Sequence, residues 1–230
     1  MIDNSALHIL HNSLQGDLFF DDLYKSMYAT DASVYRKIPL AVAFPKDTSD
    51  IQKLIAFATE KQLTLIPRTA GTSLAGQCVG DGIVVDTSKH FTNIINFDNV
   101  AKTVTVEPGI IRDELNIFLK PHGLFFGPNT STSNRCMIGG MVGNNSSGST
   151  SIRYGVTRDK VLSIDTILSD GTLATFSEIS SEEFIKKSKE NTLEGKIYEG
   201  IYSELIYDSV QEEIKKEFPK ESIHRRNTGY

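Results

Sequence analysis

Apolar positions in the first hundred residues follow the periods of a small βαβ unit. Residues 40–44 and 63–66 are short apolar runs typical of buried strands. Between them the sequence predicts a helix, with N-cap candidates at residues 47–50 and apolar side chains at helical spacing, namely Ile51, Leu54, Ile55 and Ala58. Because the two strands flank one helix, we expect them to be parallel with a right-handed crossover. Residues 82–86 supply a third strand.

The next part of the chain is predicted to form antiparallel strands. Residues 93–97 and 102–106 are strand-like and flank Asp98-Asn99, which predicts a hairpin. A short amphipathic helix over residues 111–119 follows, ended by Pro121 and Gly123.

A second hairpin is predicted from residues 161–168 and 172–176, because they flank Asp170-Gly171, a type I′ turn signal. Residues 180–218 are predicted to be mostly helical, and residues 14–27 to form a peripheral helix near the start of the chain. The fold class is therefore α+β: a small βαβ subdomain followed by an antiparallel sheet flanked by helices.

Charge and glycine content divide the chain into regions. Residues 66–155 hold twelve of the 17 glycines, whereas residues 178–226 hold 21 charged side chains in 49 residues. We expect an N-terminal helical segment at residues 1–35, a first subdomain at 36–95 and a second at 96–230. A helical insertion at about 180–222 interrupts the second subdomain.

Composition places the chain among ordinary globular proteins. Its 230 residues are 39% hydrophobic and 23% charged, and the net charge of −5 argues against a nucleic-acid partner, which needs a basic excess. No stretch approaches the ~20 apolar residues of a membrane helix, and the first residues do not resemble a signal peptide. Cys78 and Cys136 form neither a disulfide framework nor a zinc spacing, so we expect a cytoplasmic protein.

The first candidate site is the first loop, residues 67–77, which directly follows the second strand. A loop at the carboxyl end of a parallel strand is where α/β folds bind ligands. Its consecutive amides and the Thr72 and Ser73 hydroxyls suit an anionic phosphate, Gly71 and Gly76 permit close approach, and Arg68 would add charge or brace the loop. A plain connecting loop explains the same composition, and neither a Walker motif nor Gly-x-Gly-x-x-Gly is present.

The second candidate is the glycine-rich segment, residues 127–148. A flexible linker would explain its glycines, but Met137, Ile138, Met141 and Val142 follow the helical spacing that linkers lack. Small residues along such a helix let a large flat ligand lie against the backbone. We interpret the segment as ligand-lining, closed by the Arg-Tyr-Gly sequence at residues 153–155.

Four motifs in this order resemble the vanillyl-alcohol oxidase/p-cresol methylhydroxylase family of flavoproteins. They are PRTAGTSLAGQ (67–77), VEPGI (106–110), GPNTSTSNRCMIGGMVGNNSSG (127–148), and RYG with LSDG (153–155 and 168–171). The nearest branch is the FAD-linked D-2-hydroxyacid dehydrogenases, which include D-lactate dehydrogenase, the glycolate oxidase flavin subunit and D-2-hydroxyglutarate dehydrogenase. Residues 28–51 and 225–230 are similar to large bacterial members that fuse a flavin part to an iron–sulfur part.

The resemblance implies FAD held between two subdomains. The amides of residues 68–73 would cradle the pyrophosphate, and the glycine-rich segment would contact the ribityl chain, flavin and diphosphate. The implied contacts are Arg68, Thr69, Ala70, Gly71, Thr72, Ser73, Leu74, Gln77, Pro128, Thr132, Met137, Gly139, Gly140, Gly143, Asn144, Asn145, Ser146, Tyr154 and Gly155.

The remaining polar and titratable candidates are not assigned a catalytic or metal-binding role. Covalent members often carry Gly-Gly-His-Ser in the first loop, and Thr72 stands at the histidine position here, so the resemblance implies non-covalent FAD. The five histidines, at positions 8, 11, 90, 122 and 224, show no metal-ligand spacing. Arg112, Asp113 and Glu114 are interpreted as a solvated helix start, and Cys136 as a small buried side chain.

The sequence ends within a family motif, which indicates an N-terminal fragment. Relatives continue with another flavin-contacting stretch and a substrate cap, so we assign no catalytic residue to the chain, and an iron–sulfur cluster would belong only to the remainder. The implied partners are a 2-hydroxy acid, oxidised by hydride transfer to flavin, and an electron acceptor. The alternatives are an oxidase of the same fold acting on an alditol, a phenol or a sugar nucleotide, and a non-catalytic nucleotide-binding module.

Overall fold

The computed structural model describes residues 3–220 and 222–223. The motif at residues 225–230 and the histidine at position 224 lie outside the described residues. In chain order the elements are α1 (Asn4–Ser13), β1 (Asp17–Phe19), α2 (Asp22–Met27), β2 (Ala41–Phe44), α3 (Thr48–Lys61), β3 (Leu65–Arg68), β4 (Ile83–Asp86), β5 (Ile94–Asp98), β6 (Thr103–Val106), α4 (Arg112–Leu119), α5 (Ile138–Gly143), α6 (Ser151–Tyr154), β7 (Ser163–Ile167), β8 (Leu173–Ser177), α7 (Ser181–Lys187), α8 (Leu193–Leu205) and α9 (Asp208–Glu217).

A four-stranded sheet with the order β1-β2-β4-β3 forms the first part of the molecule. Both β2 and β3 pair in parallel with β4, which lies between them, so the predicted parallel arrangement is confirmed. Strand β3 begins two residues later than predicted. The cause is the end of α3, where Gln62 is left-handed (φ 54°) and the Leu63 N–H donates to the Ala58 carbonyl at 2.8 Å.

The single helix predicted over residues 14–27 is wrong. Residues 17–19 form β1, an edge strand antiparallel to β2. Helix α2 begins only at Asp22, where the Asp21 carboxylate caps it by accepting from the Leu23 and Tyr24 N–H groups at 3.0 and 3.1 Å.

A buried carboxylate explains why the chain is extended before β1. Asp50, in the first turn of α3, is fully buried and accepts from the N–H groups of Gln15 at 2.9 Å and Gly16 at 2.8 Å. Burial alone would raise the pKa of Asp50, but these bonds, together with the Lys46 N–H and the nearby Lys53 ammonium, hold that pKa below its usual value.

Two apolar clusters cover the two faces of this sheet. On one face α1 and α3 pack on the strands through Leu10 and Leu54, which contact Ala41, Ala43, Ile83 and Val85. Each fully buried leucine or isoleucine contributes ~1.5–3 kcal/mol. On the other face Ile66 and Val84 contact Cys78 and the half-buried Tyr28. Tyr28 on this second face also lies 4.8 Å from the Arg68 guanidinium carbon, at the start of the first loop.

Two antiparallel hairpins follow, β5–β6 and β7–β8, and both predicted hairpins are confirmed. Within the described residues they form two separate two-stranded sheets instead of one antiparallel sheet. The prediction of a type I′ turn is wrong, because that turn needs two residues with positive φ and only Gly171 has one (84°). The Gly171 N–H donates to the Leu168 carbonyl at 2.9 Å. The Asp170 carboxylate accepts from the Thr172 N–H at 2.9 Å, which holds this longer loop.

Helices cover the remaining surfaces. Helix α4, predicted at this position, buries Leu115 and Leu119 against the β5–β6 hairpin. The predicted helical region after β8 is confirmed as α7, α8 and α9, and α7 contacts α8 through Phe184 and Tyr198, whose ring centres are 5.0 Å apart. In the part of the chain that the structure describes, no helix has the length and apolar character to cross a bilayer.

Candidate functional site

The structure brings the first loop and the glycine-rich segment together. A Cβ built on Gly140, in α5, would lie 2.7 Å from the Thr69 hydroxyl oxygen in the first loop. Nearby, the Gln77 Nε2 donates to the Asn144 Oδ1 at 3.0 Å. The two candidates, predicted separately from sequence, therefore line one surface.

Six consecutive backbone N–H groups in the first loop, those of residues 69–74, have no hydrogen-bond partner among the described residues. Residues 69–73 are half-buried. The next N–H, that of Ala75, is already satisfied by the Ser73 hydroxyl at 3.1 Å. A run of neighbouring N–H groups without partners in the protein is a recurrent anion-binding arrangement. The first loop therefore fits a phosphate-containing cofactor.

The Arg68 side chain braces the first loop. Its Nη1 donates to the Thr30 carbonyl at 2.8 Å, and its guanidinium carbon lies 4.8 Å from the centre of the Tyr28 ring. Gly71 is left-handed (φ 63°), and a Cβ there would lie 2.4 Å from the Arg68 Nη2. Of the two roles considered for Arg68, these contacts show bracing, and they explain why residue 71 has no side chain.

A second arginine braces the glycine-rich segment, which corrects the interpretation of residues 112–114 as a solvated helix start. The Arg112 side chain is 14% exposed, and its Nε and Nη2 donate to the Pro128 and Phe126 carbonyls, both at 3.1 Å. Glu114 alone of the three is exposed. An arginine on the first turn of α4 can reach these carbonyls because the chain returns to that helix after residue 124.

Asp113 extends this brace. It accepts from the Arg112 Nη1 at 2.8 Å and from the Ser133 hydroxyl at 3.0 Å. The Arg112 hydrogen bond is the main reason that the pKa of Asp113 lies below its usual value. Asp113 therefore stays charged near neutral pH and fixes the turn that contains Thr132.

Helix α5 confirms the helical spacing noted in the glycine-rich segment, and its three glycines differ in surroundings. The Gly139 N–H donates to the Pro108 carbonyl at 2.8 Å, and a Cβ on Gly139 would lie 2.4 Å from the Pro108 Cβ. Gly140 faces Thr69, as described above. Gly143 has no atom within 4 Å of its built Cβ. Two of these glycines thus allow close packing within the protein, and Gly143 leaves open space beside α5.

The cysteine of this segment packs as a small side chain. Cys136 is 4% exposed; its Sγ accepts from the Thr130 hydroxyl at 3.3 Å and lies 3.5 Å from the Met141 sulfur. Met137, next to it, pairs its backbone with Ile111 across an isolated bridge. This bridge attaches the segment to the start of α4.

The residues after α5 form a fixed turn. Asn145 is buried and left-handed (φ 46°), and its Oδ1 accepts from the Arg158 N–H at 3.0 Å. The Ser146 carbonyl accepts from the Thr157 hydroxyl at 2.7 Å. Gly155 is also left-handed (φ 77°). Asn145, Ser146 and Gly155, which were predicted to contact FAD, therefore fix the course of the backbone after α5.

Two further predicted contacts, Tyr154 and Leu74, differ in their surroundings. Tyr154 packs beside Gly127, where a Cβ would lie 2.7 Å from the Tyr154 Cβ, and meets Phe125 edge-on at 5.1 Å. Leu74, at the far end of the unpaired amides, is 80% exposed. Across residues 3–220 and 222–223, no group of three histidine, cysteine or acidic side chains is placed to hold a metal ion.

Comparison with known proteins identifies the class of this chain. The FAD binding domain family matches residues 39–177, which is more than half of the chain. The chain belongs to this family, and FAD is its cofactor. The match confirms the flavoprotein family membership that the motifs indicated.

Two curated relatives and one solved structure refine this placement. The D-2-hydroxyglutarate dehydrogenase of Pseudomonas putida is 37% identical over 228 residues, 97% of this chain and 22% of the relative. The glycolate oxidase subunit GlcD of Bacillus subtilis is 34% identical over 67% of this chain and 34% of the relative. The xylooligosaccharide oxidase from Myceliophthora thermophila C1 shares the fold, with a TM-score of 0.65 and 24% identity over 78% of this chain and 38% of that one. The chain thus spans about a fifth of the first relative, 22% of its length.

Proposed function

We propose that this chain is the FAD-binding part of an oxidoreductase that oxidises a D-2-hydroxy acid. The run of unpartnered N–H groups at residues 69–74 is the observation that carries the cofactor site. The substrate class rests on the relatives, since 2-hydroxyglutarate and glycolate are both 2-hydroxy acids.

In this proposal the N–H groups of residues 69–73 bind the FAD pyrophosphate. Charge-assisted hydrogen bonds from N–H to phosphate contribute about 1.5–3 kcal/mol each, so several together make the first loop the main source of affinity. The surface at Gly143 and Asn144, where the two regions meet, receives the rest of the cofactor. Pro128, Thr132 and Met137 shape that surface through the backbone contacts described above.

The cofactor, when bound, supplies the hydride acceptor for oxidation of the substrate α-carbon. The residues of this chain bind and orient it, and the proposal assigns none of them a catalytic role. A group that holds the substrate carboxylate and a base near its hydroxyl are required for the reaction. We propose that they lie in sequence that the longer relatives possess beyond the region shared with this chain.

The FAD is proposed to be non-covalent, because Thr72 stands where covalent relatives carry histidine. Denaturation in acid followed by filtration tests this point. FAD is expected in the filtrate, and flavin retained on the precipitated protein would contradict it. An electron-accepting partner and a cytoplasmic location belong to the same proposal.

Two measurements test the function. FAD titrated into the chain should show saturable quenching of flavin fluorescence, and no saturable binding would contradict the cofactor site. The substrate class is tested with the whole product of the gene under anaerobic conditions. Its visible flavin absorption should be lost on addition of D-2-hydroxyglutarate, D-lactate or glycolate. The absorption should remain on addition of L-2-hydroxyglutarate. If only an alditol or a phenol bleaches the flavin, the proposed substrate class is wrong, but the proposed FAD site is unaffected.

A further inference from the structure

Residues 28–35, with the sequence Tyr-Ala-Thr-Asp-Ala-Ser-Val-Tyr, precede the family-matched region 39–177 and have no part in the proposed contacts. We call them the strap. We propose that the strap is a positioning element of the cofactor site, which holds the first loop in the conformation that presents its N–H groups. This inference rests on the proposed binding of FAD by the first loop.

The strap contacts the beginning of the first loop through Arg68. The Thr30 carbonyl accepts from the Arg68 Nη1 at 2.8 Å, and the Tyr28 ring lies 4.8 Å from the guanidinium carbon. The guanidinium in turn lies against Gly71, where even a methyl group would collide with it. The strap thus fixes Arg68, and Arg68 fixes the backbone in the middle of the unpaired N–H run.

The strap also contacts the end of the first loop. Gly76 is left-handed (φ 72°), and a Cβ there would lie 2.7 Å from the Tyr35 ring. Tyr35 is 59% exposed, so its ring covers the loop without belonging to the core. One residue beyond the loop, the Cys78 Sγ donates to the Asp31 Oδ2 at 3.7 Å. The contacts therefore occur at both ends of the run of free donors.

The strap is itself anchored to the sheet. The Tyr28 hydroxyl donates at 2.7 Å to the Oδ2 of Asp86, a buried residue at the end of β4. The Lys37 N–H donates to the Ala29 carbonyl at 2.9 Å, and Thr30 pairs with Arg36 across an isolated bridge. A segment held in this way can transmit the rigidity of the sheet to the first loop.

External support matters here because the loop has little of its own. Its N–H groups at residues 69–74 make no hydrogen bond to the described residues, and Gly71 and Gly76, which lack a Cβ, have a wide intrinsic range of backbone angles. Donors that must meet one ligand together bind it best when their geometry is fixed beforehand. The strap supplies that preorganisation from outside the loop.

The test compares FAD affinity among four variants of the full chain. Arg68→Met removes the brace, Arg68→Lys keeps the charge without the planar fork, and Tyr35→Ala removes the support at Gly76. Arg36→Met is the matched control, because it removes one positive charge beside the strap and keeps the backbone bridge to Thr30. FAD affinity is measured by flavin fluorescence, ADP affinity by competition, and the melting temperature without ligand.

We expect Arg68→Met to weaken FAD at least about tenfold and Arg68→Lys to restore part of the loss. Tyr35→Ala should weaken FAD about three- to tenfold with the ligand-free melting temperature unchanged, and Arg36→Met should bind as the wild type does. ADP, which shares the pyrophosphate, should weaken by the same factors as FAD.

Three results would overturn the inference. They are unchanged FAD affinity in both Arg68→Met and Tyr35→Ala, an equal loss in Arg36→Met, and a loss for FAD without a loss for ADP. Tyr35→Ala keeps the test decisive if Arg68→Met does not fold. A wild-type chain that binds no FAD would instead defeat the proposed function, and the inference with it.

Discussion

The first loop and the glycine-rich segment line the same surface but use their backbones differently. The first loop has two glycines and leaves six consecutive N–H groups unpaired among the described residues. The glycine-rich segment has five glycines, yet it uses the N–H groups of Gly139 and Gly148 within the protein. Gly139 and Gly140 therefore serve close packing of chain on chain, whereas the unpaired donors of the first loop are the ones proposed to meet a ligand.

The two regions also share one device. Each is braced by an arginine that donates to backbone carbonyls: Arg68 to Thr30 for the first loop, and Arg112 to Phe126 and Pro128 for the glycine-rich segment. The consequences should differ. Disturbing the first loop should affect cofactor affinity, and disturbing the glycine-rich segment should affect stability first.

The largest effect is expected from Gly71→Val. The left-handed φ of 63° is unfavourable for valine, and its Cβ would collide with the Arg68 guanidinium 2.4 Å away. Displaced N–H groups lose several charge-assisted bonds to phosphate, so FAD affinity should fall more than ~100-fold. Fluorescence titration measures the change.

Gly123→Val is the matched control for this substitution. Gly123 is also left-handed (φ 71°), but its built Cβ has no atom within 4 Å. The same backbone strain should lower stability there without changing FAD affinity. Wild-type FAD affinity in Gly71→Val would contradict the assignment of the first loop.

Arg112→Met should act mainly on stability. Two carbonyls lose a charged donor at a side chain that is 14% exposed, so the free energy of unfolding should fall by about 2–3 kcal/mol. In a chain of this size that corresponds to a melting temperature lower by roughly 5–10 °C. Lys120→Met, which removes an exposed charge just after α4, should change neither quantity. A loss of FAD affinity as large as that of Gly71→Val, at unchanged melting temperature, would erase the distinction between the two regions.

A smaller effect is expected from Gln77→Ala. Gln77 joins the regions, accepting from the Ser73 hydroxyl at 2.8 Å and donating to Asn144 at 3.0 Å. These bonds are exposed, so their loss should weaken FAD only about three- to tenfold. Gln211→Ala removes a carboxamide that donates to Leu205 far from the site, and should have no effect. If Gln77→Ala binds FAD as tightly as the wild type does, the contact between Gln77 and Asn144 does not contribute to FAD binding.

The sequence predicts the elements of this fold better than their connections. Buried runs and turn residues located β2, β4, both hairpins and α3, because these signals are local. The prediction of a helix over residues 14–27 failed because the backbone there is held by Asp50, which lies 35 residues after Gln15 along the chain. The longer loop at Gly171 depends on the Asp170 side-chain bond, which the Asp-Gly pair does not specify.

The site shows the same limit. The motifs identified both regions that line the surface, since phosphate-binding loops and small-residue helices have local signatures. Bracing by Arg68 was one of two roles predicted for it, but the Arg112 brace was missed. An arginine at the start of an amphipathic helix resembles any solvated helix end until the chain is known to bring Phe126 and Pro128 back beside it. Likewise, nothing in residues 28–35 alone indicates that Tyr28 and Tyr35 would meet a loop some forty residues later.

The most direct test of the central claim is a crystal structure of the chain with FAD. Pyrophosphate oxygens should lie within hydrogen-bonding distance, about 2.7–3.2 Å, of several of the N–H groups of residues 69–73. Arg68 should remain between Thr30 and Gly71. A complex in which the pyrophosphate contacts other residues while these N–H groups stay unpaired would contradict the claim.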